Sequence, residues 1–243
     1  MTHDIKMLQD RFAEYLNAMF YQFKFGPEYM DCYDCEEMYC NWEYDGDMSN
    51  HYGTWYATGC TRFVLGDDNH DYIIKFQKQG DDVDYGALEV GTYERAVAAG
   101  FNDKFAWTAK LMDYHYITDD CDIVIPIYVM ECVECNYEMV SDDSYNYHYT
   151  AFCEQENLDP SSDEAHDEWS NTGGDYSSTE AMIEFAFNVW HASLLFKESF
   201  LKFLRQEQIN DLHCGNWGYR GDTLVLTDYA GYGDPESRSD IRL

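Results

Sequence analysis

The sequence predicts an α+β fold arranged in two lobes, and three observations support this. Strand patterns are concentrated in the first half of the chain, one strong helical pattern follows them, and a short hairpin comes last. Segregated strands and helices are typical of α+β architecture, whereas α/β proteins alternate the two. The chain is long enough for such a fold, since 243 residues with a hydrophobic fraction of 45% can bury a sizeable core.

The first elements follow from hydrophobic periodicity. Apolar side chains recur at helical spacing over 4–22, which predicts an amphipathic helix, and the acidic stretch 23–50 is predicted to be irregular. The next segments predict three strands at 51–59, 60–66 and 71–77, and then a helix at 85–99 that stops at Gly100. Two further strands are predicted at 107–117 and 122–134. The last strand is almost entirely apolar and is therefore expected in the centre of its sheet.

The C-terminal part begins with a polar segment. Ser, Asp, Asn and Gly cluster over 141–178, which predicts a long loop or an insertion. Apolar spacing over 179–206 then predicts one helix, with a start that resembles a capping box. The chain is thereby divided into an N-terminal helix with an acidic extension, a β-rich N-terminal lobe and a short C-terminal lobe that holds the acidic insertion, at 1–50, 51–134 and 135–243.

The charge of the chain limits its partners. It has 47 acidic residues against 15 lysines and arginines, a formal net charge of −32, and no Lys or Arg between Leu111 and Phe196. Direct nucleic-acid binding is disfavoured, because neutralising phosphates requires basic side chains. Two interpretations stay open: a highly solvated surface, or a surface that engages a basic partner by imitating a phosphate backbone.

Two further features concern the compartment. No apolar run approaches the ~20 residues of a membrane span, and the first ten residues lack the apolar region of a signal peptide. The nine cysteines are therefore expected to be reduced, in the cytoplasm. Cys32-x-x-Cys35 and Cys132-x-x-Cys135 have the spacing of zinc ligands, but they lie far apart in the chain, which favours free cysteines.

Several polar residues match the needs of phosphoryl transfer from ATP. That reaction needs a cation for the phosphates, ligands for magnesium and an acid that orients the attacking hydroxyl. Asp211 and Asn216 have the D-x-x-x-x-N spacing of a catalytic loop, and Asp228 follows the strand 223–226, where a second metal ligand belongs. Taken alone, Asp211 and Asn216 could equally be turn formers.

A lysine and a glutamate complete this set upstream. Lys75 lies on a predicted strand in the sequence Ile73-Ile74-Lys75, and a glutamate on the following helix should pair with it. Glu89 is the best placed, with Glu94 as the alternative. Lys75 and Asp211 are not expected in the core, so replacing either is expected to leave the fold intact.

In order and spacing, these motifs resemble the protein-kinase-like superfamily over roughly residues 52–233. The sequence from Asp211 to Asn216, DLHCGN, is more similar to the H-x-D-L-H-x-x-N motif of aminoglycoside and choline phosphotransferases than to H-R-D. The short format, with Lys75 near the start and this motif near the end, also resembles the early serine/threonine kinases of tailed phages.

The resemblance implies a two-lobed kinase-like fold with ATP and Mg²⁺ as cofactors. It implies that Lys75, oriented by Glu89, holds the α- and β-phosphates, that Asp211 is the catalytic base, and that Asn216 and Asp228 bind the metal. The remaining ATP contacts would come from a glycine loop and a hinge that follows a gatekeeper near Met130, at Gly59, Glu131 and Val133. Apart from the resemblance, His213 could be a metal ligand, but it is rather expected to pack or hydrogen-bond so that it shapes the catalytic loop.

The sequence departs from the kinase pattern in three places. Ile209 and Asn210 stand where H-R-D has His and Arg, and Gly53 and Gly59 do not form a G-x-G-x-x-G loop. Fifteen residues follow Asp228, which predicts a reduced C-lobe without an activation segment or A-P-E motif.

Two functions remain open on this basis. The first is a Mg-dependent kinase that acts on Ser or Thr of host proteins in the host cytoplasm, or in a variant form on a cationic small molecule. The second is a non-catalytic protein on a kinase-like scaffold, whose acidic face occupies the nucleic-acid groove of a basic host defence or transcription protein.

Overall fold

The computed structural model describes residues 4–17, 54–58, 62–67, 71–77, 83–117, 122–134 and 137–229. Over these ranges the fold is mixed α+β, as predicted. The helices are α1 Ile5–Asn17, α2 Tyr85–Ala99, α3 Tyr137–Glu156, α4 Asp163–Asn171, α5 Thr179–Val189 and α6 Leu194–Glu207. The strands are β1 Thr54–Thr58, β2 Arg62–Asp67, β3 Tyr72–Gln77, β4 Thr108–Ile117, β5 Asp122–Glu131, β6 Trp217–Arg220 and β7 Thr223–Leu226.

The strands form two antiparallel sheets. In the larger sheet the order is β1-β2-β3-β5-β4, so β5 has a neighbour on each side, which confirms its predicted central position. The smaller sheet is the hairpin β6–β7, in which Trp217 is opposite Leu226. The predicted strands at 51–59, 60–66, 71–77, 107–117 and 122–134 are all present, within a few residues of their expected ends.

The chain divides into two compact units. Unit 1 comprises Met1–Tyr93 and Trp107–Cys132, and unit 2 comprises Glu94–Ala106 and Val133–Leu243. The sequence predicted one boundary near residue 134, whereas 94–106 group with the later part of the chain. Phe101 explains this grouping, because its ring lies 5.3–5.5 Å from three phenylalanine rings of α6.

In unit 1, helix α1 covers one face of the larger sheet. Leu8, Phe12 and Leu16 recur every four residues and are fully buried against sheet residues that include Ile74 and Val129. The amide of Gln9 also donates to the carbonyl of Leu111 at 2.6 Å. The helix predicted over 4–22 is thus confirmed for its described part, while 18–22 and the stretch 23–50 lie outside the described residues.

The loop prediction for 141–178 is wrong, because most of this segment lies in α3 and α4. In α3 the buried positions recur at helical spacing, but two of them hold polar side chains: Val140, Ser144, Tyr149 and Cys153. The buried Ser144 hydroxyl donates to the carbonyl of Tyr176 at 2.6 Å. A stripe that contains serine and tyrosine gives a weak apolar signal, which explains the error.

The single helix predicted over 179–206 is also wrong in one respect, since the segment forms α5 and α6. Helix α5 ends at Val189 with Trp190 as its C-cap, and His191 follows with a positive φ of 48°. The side chain of Ser193 then accepts from the Phe196 amide and begins α6. Apolar spacing continues on both sides of this break, so periodicity alone predicts no interruption.

None of the helices in the described ranges combines the length and the apolar character that crossing a membrane requires.

Candidate functional site

In unit 1, Lys75 and Glu89 form a buried ion pair. The Nζ atom of Lys75 on β3 lies 3.2 Å from Oε1 and 3.4 Å from Oε2 of Glu89 on α2. The Lys75 side chain is 8% exposed and that of Glu89 is 0% exposed. Glu94, the alternative partner in the sequence, is exposed on the same helix. The predicted ion pair is therefore present, with Glu89.

The start of α2 is fixed against β5 by Tyr128, the residue opposite Lys75 in the sheet. One carboxylate oxygen of Asp84 accepts from the Ala87 amide and so caps α2, while the other accepts from the Tyr128 hydroxyl at 2.6 Å. A Cβ on Gly86 would lie 2.1 Å from the Tyr128 ring, so glycine permits this close approach. These contacts set where α2 lies and hence where Glu89 meets Lys75.

The Tyr128 hydroxyl stays a donor over the ordinary pH range. Burial, together with its hydrogen bond to Asp84, raises the pKa of the Tyr128 phenol. The contact between α2 and β5 is therefore insensitive to pH near neutrality.

The expectation that Lys75 lies outside the core is wrong. Removing one member of a buried ion pair leaves the other charge unpaired, which costs about 3–5 kcal/mol. We therefore expect Lys75→Ala to lower the free energy of unfolding by that amount, and the double variant Lys75→Met/Glu89→Leu to restore most of it. Urea titration followed by circular dichroism measures both values.

The matched control is Lys110→Ala. Lys110 likewise forms an ion pair with a carboxylate, that of Asp113 at 2.7 Å, but both side chains are about half exposed. Exposed pairs contribute about 0–1 kcal/mol, so this variant should unfold at nearly the wild-type urea concentration. A Lys75→Ala protein as stable as the Lys110→Ala protein would contradict the buried-pair interpretation.

The predicted hinge follows the end of β5. Met130, the predicted gatekeeper, is buried. The Glu131 amide donates to the carbonyl of Trp107, and the Glu131 carboxylate accepts from the Trp107 amide, both at 2.9 Å. Val133 is buried in unit 2, where the neighbouring Glu134 exchanges two backbone hydrogen bonds with Tyr219. Gly53 and Gly59 lie outside the described residues.

In unit 2, the predicted catalytic loop is an irregular segment, residues 209–213, between α6 and a 3-10 turn at Cys214–Asn216. The Asp211 side chain is 41% exposed, so the expectation that it lies outside the core is confirmed. Nε2 of His213 lies 3.8 Å from Oδ1 of Asp211. Nδ1 of His213 accepts from the Gly215 amide at 3.1 Å, so this histidine shapes the loop, as predicted.

Asn216 is held by its side chain and by its backbone. Its Nδ2 donates to the carbonyl of Asp211 at 2.7 Å, which leaves Oδ1 as an acceptor. Its own carbonyl accepts from the Thr227 amide at 2.9 Å. Asn216 precedes β6 and Asp228 follows β7, so the antiparallel hairpin carries both residues at its open end.

Asp228 is half-buried, and the residue after it anchors the segment. The hydroxyl of Tyr229 donates to the carbonyl of Ala106 at 2.7 Å, and its ring packs edge-on against Phe105 at 5.0 Å. The Ala106 amide in turn donates to the carbonyl of Leu226 at 2.7 Å. Tyr229 thus makes a hydrogen bond that a phenylalanine at this position could not make.

Sequence reasoning missed two side chains that hold the loop at 209–213. Nε1 of Trp217 donates to the carbonyl of Leu212 at 2.9 Å. The Thr179 hydroxyl contacts the backbone of Asn210 and Leu212. Neither residue belongs to the D-x-x-x-x-N motif, and Thr179 is more than 30 residues away in the chain, so periodicity and spacing carry no signal for these contacts.

Among the described residues, no three or more His, Cys, Asp or Glu side chains are grouped as they would be around a metal ion. Cys132, Cys153 and Cys214 form no disulfide bond. Cys32, Cys35 and Cys135 of the two paired motifs lie outside the described residues.

No protein-family model, curated protein or solved structure matches this chain. Its function is therefore inferred from its own residues and contacts.

Proposed function

We propose that this chain is an ATP- and Mg²⁺-dependent phosphotransferase with a two-lobed, protein-kinase-like fold. The observation that carries the proposal is the buried pair of Lys75 on the third strand and Glu89 on the following helix. In protein kinases a lysine on the third strand binds the phosphates of ATP and pairs with a glutamate on the next helix. The element order here is the same.

The energetics of this pair favour a functional role. Replacing a buried ion pair with apolar residues of similar size is often neutral or stabilising. The fold of unit 1 would therefore tolerate two hydrophobic side chains at these positions, and stability alone does not account for the charges. A lysine held in place by a carboxylate is, by contrast, what the binding of a polyphosphate requires.

The loop of unit 2 supports the same reaction class. Asp211 offers an exposed carboxylate that could accept the proton of an attacking hydroxyl. Its backbone carbonyl is bonded to Asn216, five residues on, in the spacing D-x-x-x-x-N. Asp228 follows after the hairpin, in the place of the D-F-G aspartate.

The side chains fit a magnesium site that is completed by phosphate. Mg²⁺ prefers oxygen ligands and is commonly held by one or two carboxylates together with substrate phosphates. The hydrogen bond from Nδ2 of Asn216 leaves Oδ1 as the acceptor atom that could bind the metal, and the Asp228 carboxylate would be the second ligand. When bound, the ion would neutralise charge on the β- and γ-phosphates.

The proposed substrates are Ser or Thr hydroxyls of host proteins in the host cytoplasm, as the resemblance to phage kinases implies. A net charge of −32 suits a basic protein as phosphate acceptor, because opposite charges accelerate encounter. The same charge would also suit a cationic small molecule, which is the variant that the D-L-H-x-x-N motif suggests.

Binding of ATP tests this proposal directly. A ligand that binds only the folded state at 100 times its Kd stabilises that state by about 2.7 kcal/mol. We expect ATP with Mg²⁺ to raise the thermal unfolding midpoint, and ATP with excess chelator to raise it much less. No shift with saturating Mg-ATP, and none by calorimetry, would remove the basis of the kinase proposal.

A second candidate is the acidic decoy of a basic, nucleic-acid-binding host protein. One observation favours it: most of the acids of 141–178 lie on the helices α3 and α4. On α4, the exposed side chains form two like-charged pairs one turn apart, Asp163 with Asp167 and Glu164 with Glu168. Such pairs destabilise a helix, and the stretch from Leu111 to Phe196 holds no Lys or Arg to offset them.

A charge-neutralised α4 tests this candidate. The variant replaces four acids by their amides: Asp163→Asn, Glu164→Gln, Asp167→Asn and Glu168→Gln. We expect it to release captured host partners at a lower salt concentration than wild type, because the proposed attraction is electrostatic and salt screens it. The measurement is a pull-down over a salt series, with double-stranded DNA as competitor.

The matched control neutralises four exposed acids outside α3 and α4, at Glu94, Asp103, Glu198 and Asp222. It changes the net charge by the same amount. Equal salt resistance for wild type and the α4 variant, or equal losses in both variants, would exclude α4 as the phosphate mimic.

A further inference from the structure

Thr179 holds the backbone on both sides of Asp211. Its Oγ1 donates to the carbonyl of Asn210 at 3.0 Å and accepts from the amide of Leu212 at 3.2 Å. These are the peptide groups immediately before and after the Asp211 residue. The Thr179 hydroxyl therefore forms one hydrogen bond as a donor and one as an acceptor, each to a peptide group next to Asp211. These two peptide groups set the direction of the Asp211 side chain.

The loop depends on such contacts, because residues 209–213 have no regular secondary structure. Buried backbone N–H and C=O groups need hydrogen-bond partners. A loop that forms no helix or sheet hydrogen bonds must obtain these partners from side chains. Asn216 and Trp217, which supply two of these partners, each lie only five residues after the carbonyl that they bind. Thr179 comes from α5, and its contacts span 31 and 33 residues.

Thr179 lies on a fixed support. It is the first residue of α5, and the Ser178 hydroxyl caps that helix by accepting from the Ala181 amide. Ser178 also donates to Asp175 at 2.6 Å. Further along the helix, Met182 and Phe185 are buried. A β-branched side chain has few χ1 rotamers, so the hydroxyl of Thr179 is presented in a defined direction.

We propose that Thr179 is a positioning residue for Asp211, a role that rests on the function proposed above. It touches neither substrate nor metal and acts through the peptide groups of the loop. A misplacement of a catalytic group by about 1 Å can cost 10²-fold in rate. Loss of the hydroxyl should therefore lower kcat and leave ATP affinity nearly unchanged, since the Thr227 amide still holds the backbone of Asn216 and Asp228 lies outside the loop.

The test compares Thr179→Val with Thr179→Ser. Valine keeps the shape and removes both hydrogen bonds, whereas serine keeps the hydroxyl. Thr172→Val is the matched control, because the Thr172 hydroxyl is exposed and donates only to the carbonyl of Trp169. Thr179→Ala serves as a second variant without the hydroxyl should Thr179→Val fold poorly by circular dichroism.

Two readouts are needed. The first is hydrogen exchange in the peptide containing the Leu212 amide, which should become about 10-fold faster in Thr179→Val and stay at the wild-type rate in Thr179→Ser and Thr172→Val. The second is transfer from γ-labelled ATP to histone, used as a basic phosphate acceptor. Its kcat should fall about 10- to 100-fold in Thr179→Val, with KM for ATP within about twofold and substantial recovery in Thr179→Ser.

The two readouts separate the inference from the function on which it rests. Unchanged exchange at Leu212 in Thr179→Val overturns the inference even if the chain is a kinase. Equal losses of kcat in the Val and Ser variants overturn it as well. A wild-type chain that neither binds Mg-ATP nor transfers phosphate to histone or to itself refutes the proposed function, whereas the exchange measurement still decides whether Thr179 orders the loop.

Discussion

Asp211→Ala is expected to lower kcat for phosphoryl transfer by 10²-fold or more while leaving the urea midpoint of unfolding close to the wild-type value. A positioned general base contributes roughly 10²–10⁴-fold to a rate. The Asp211 side chain is 41% exposed, and its nearest ionic neighbour is His213 at 3.8 Å. Its removal therefore leaves no buried group without a partner. Transfer from γ-labelled ATP to histone and to the chain itself measures the rate.

The matched control for this variant is Asp222→Ala. Asp222 is an exposed aspartate in the turn of the β6–β7 hairpin, away from its open end. We expect this variant to transfer phosphate at the wild-type rate. If Asp211→Ala also keeps the wild-type rate, Asp211 is not the base and its position in the loop reflects turn chemistry alone.

The second large effect is expected for Asp228→Ala, which should lose the Mg-dependent part of ATP binding. Removing the proposed carboxylate ligand would leave the phosphate charge without its compensating ion. When the ATP concentration is 100 times the wild-type Kd, binding stabilises the folded wild-type protein by about 2.7 kcal/mol. In Asp228→Ala this stabilisation should fall to the level measured with ATP and chelator. Calorimetric titration with and without Mg²⁺ gives the affinity directly.

This variant also separates the two candidate functions. Asp228→Ala leaves the acids of α4 unchanged, so any host partner that α4 binds should still be captured at the same salt concentration. Mg-ATP affinity in Asp228→Ala equal to that of wild type would refute the metal assignment. If Asp228→Ala loses both ATP binding and partner capture, the two binding events are linked.

Much of the fold follows from local patterns in the sequence. Leu8, Phe12 and Leu16 repeat with the period of a helix and are buried as that period requires. The strands on either side of α2 are rich in β-branched and aromatic residues, and Gly100 ends the helix with a φ of 81°. The pair of Lys75 and Glu89 is predicted in another way, from the resemblance of this strand and helix to the lysine and glutamate motifs of protein kinases.

What the sequence does not predict depends on contacts between distant segments. The burial of Ser144 is compensated by a carbonyl 32 residues away, so no window around it reports that burial. Thr179 is likewise an ordinary first residue of a helix until α5 meets the loop. Such contacts are decided by packing, which local propensity does not contain.

The closure of unit 2 has a consequence for how the chain folds during synthesis. The Tyr229 hydroxyl bonds to a carbonyl 123 residues earlier, and Arg220 bonds to Phe105 across 115 residues. Contacts of such sequence separation form late, because a long loop must close before they contribute. Residues 94–106 therefore leave the ribosome well before the hairpin that completes their unit. At a synthesis rate of ~5–20 residues per second, the apolar side chains of 94–106 stay without their final contacts for several seconds. Chaperones can bind them during this interval.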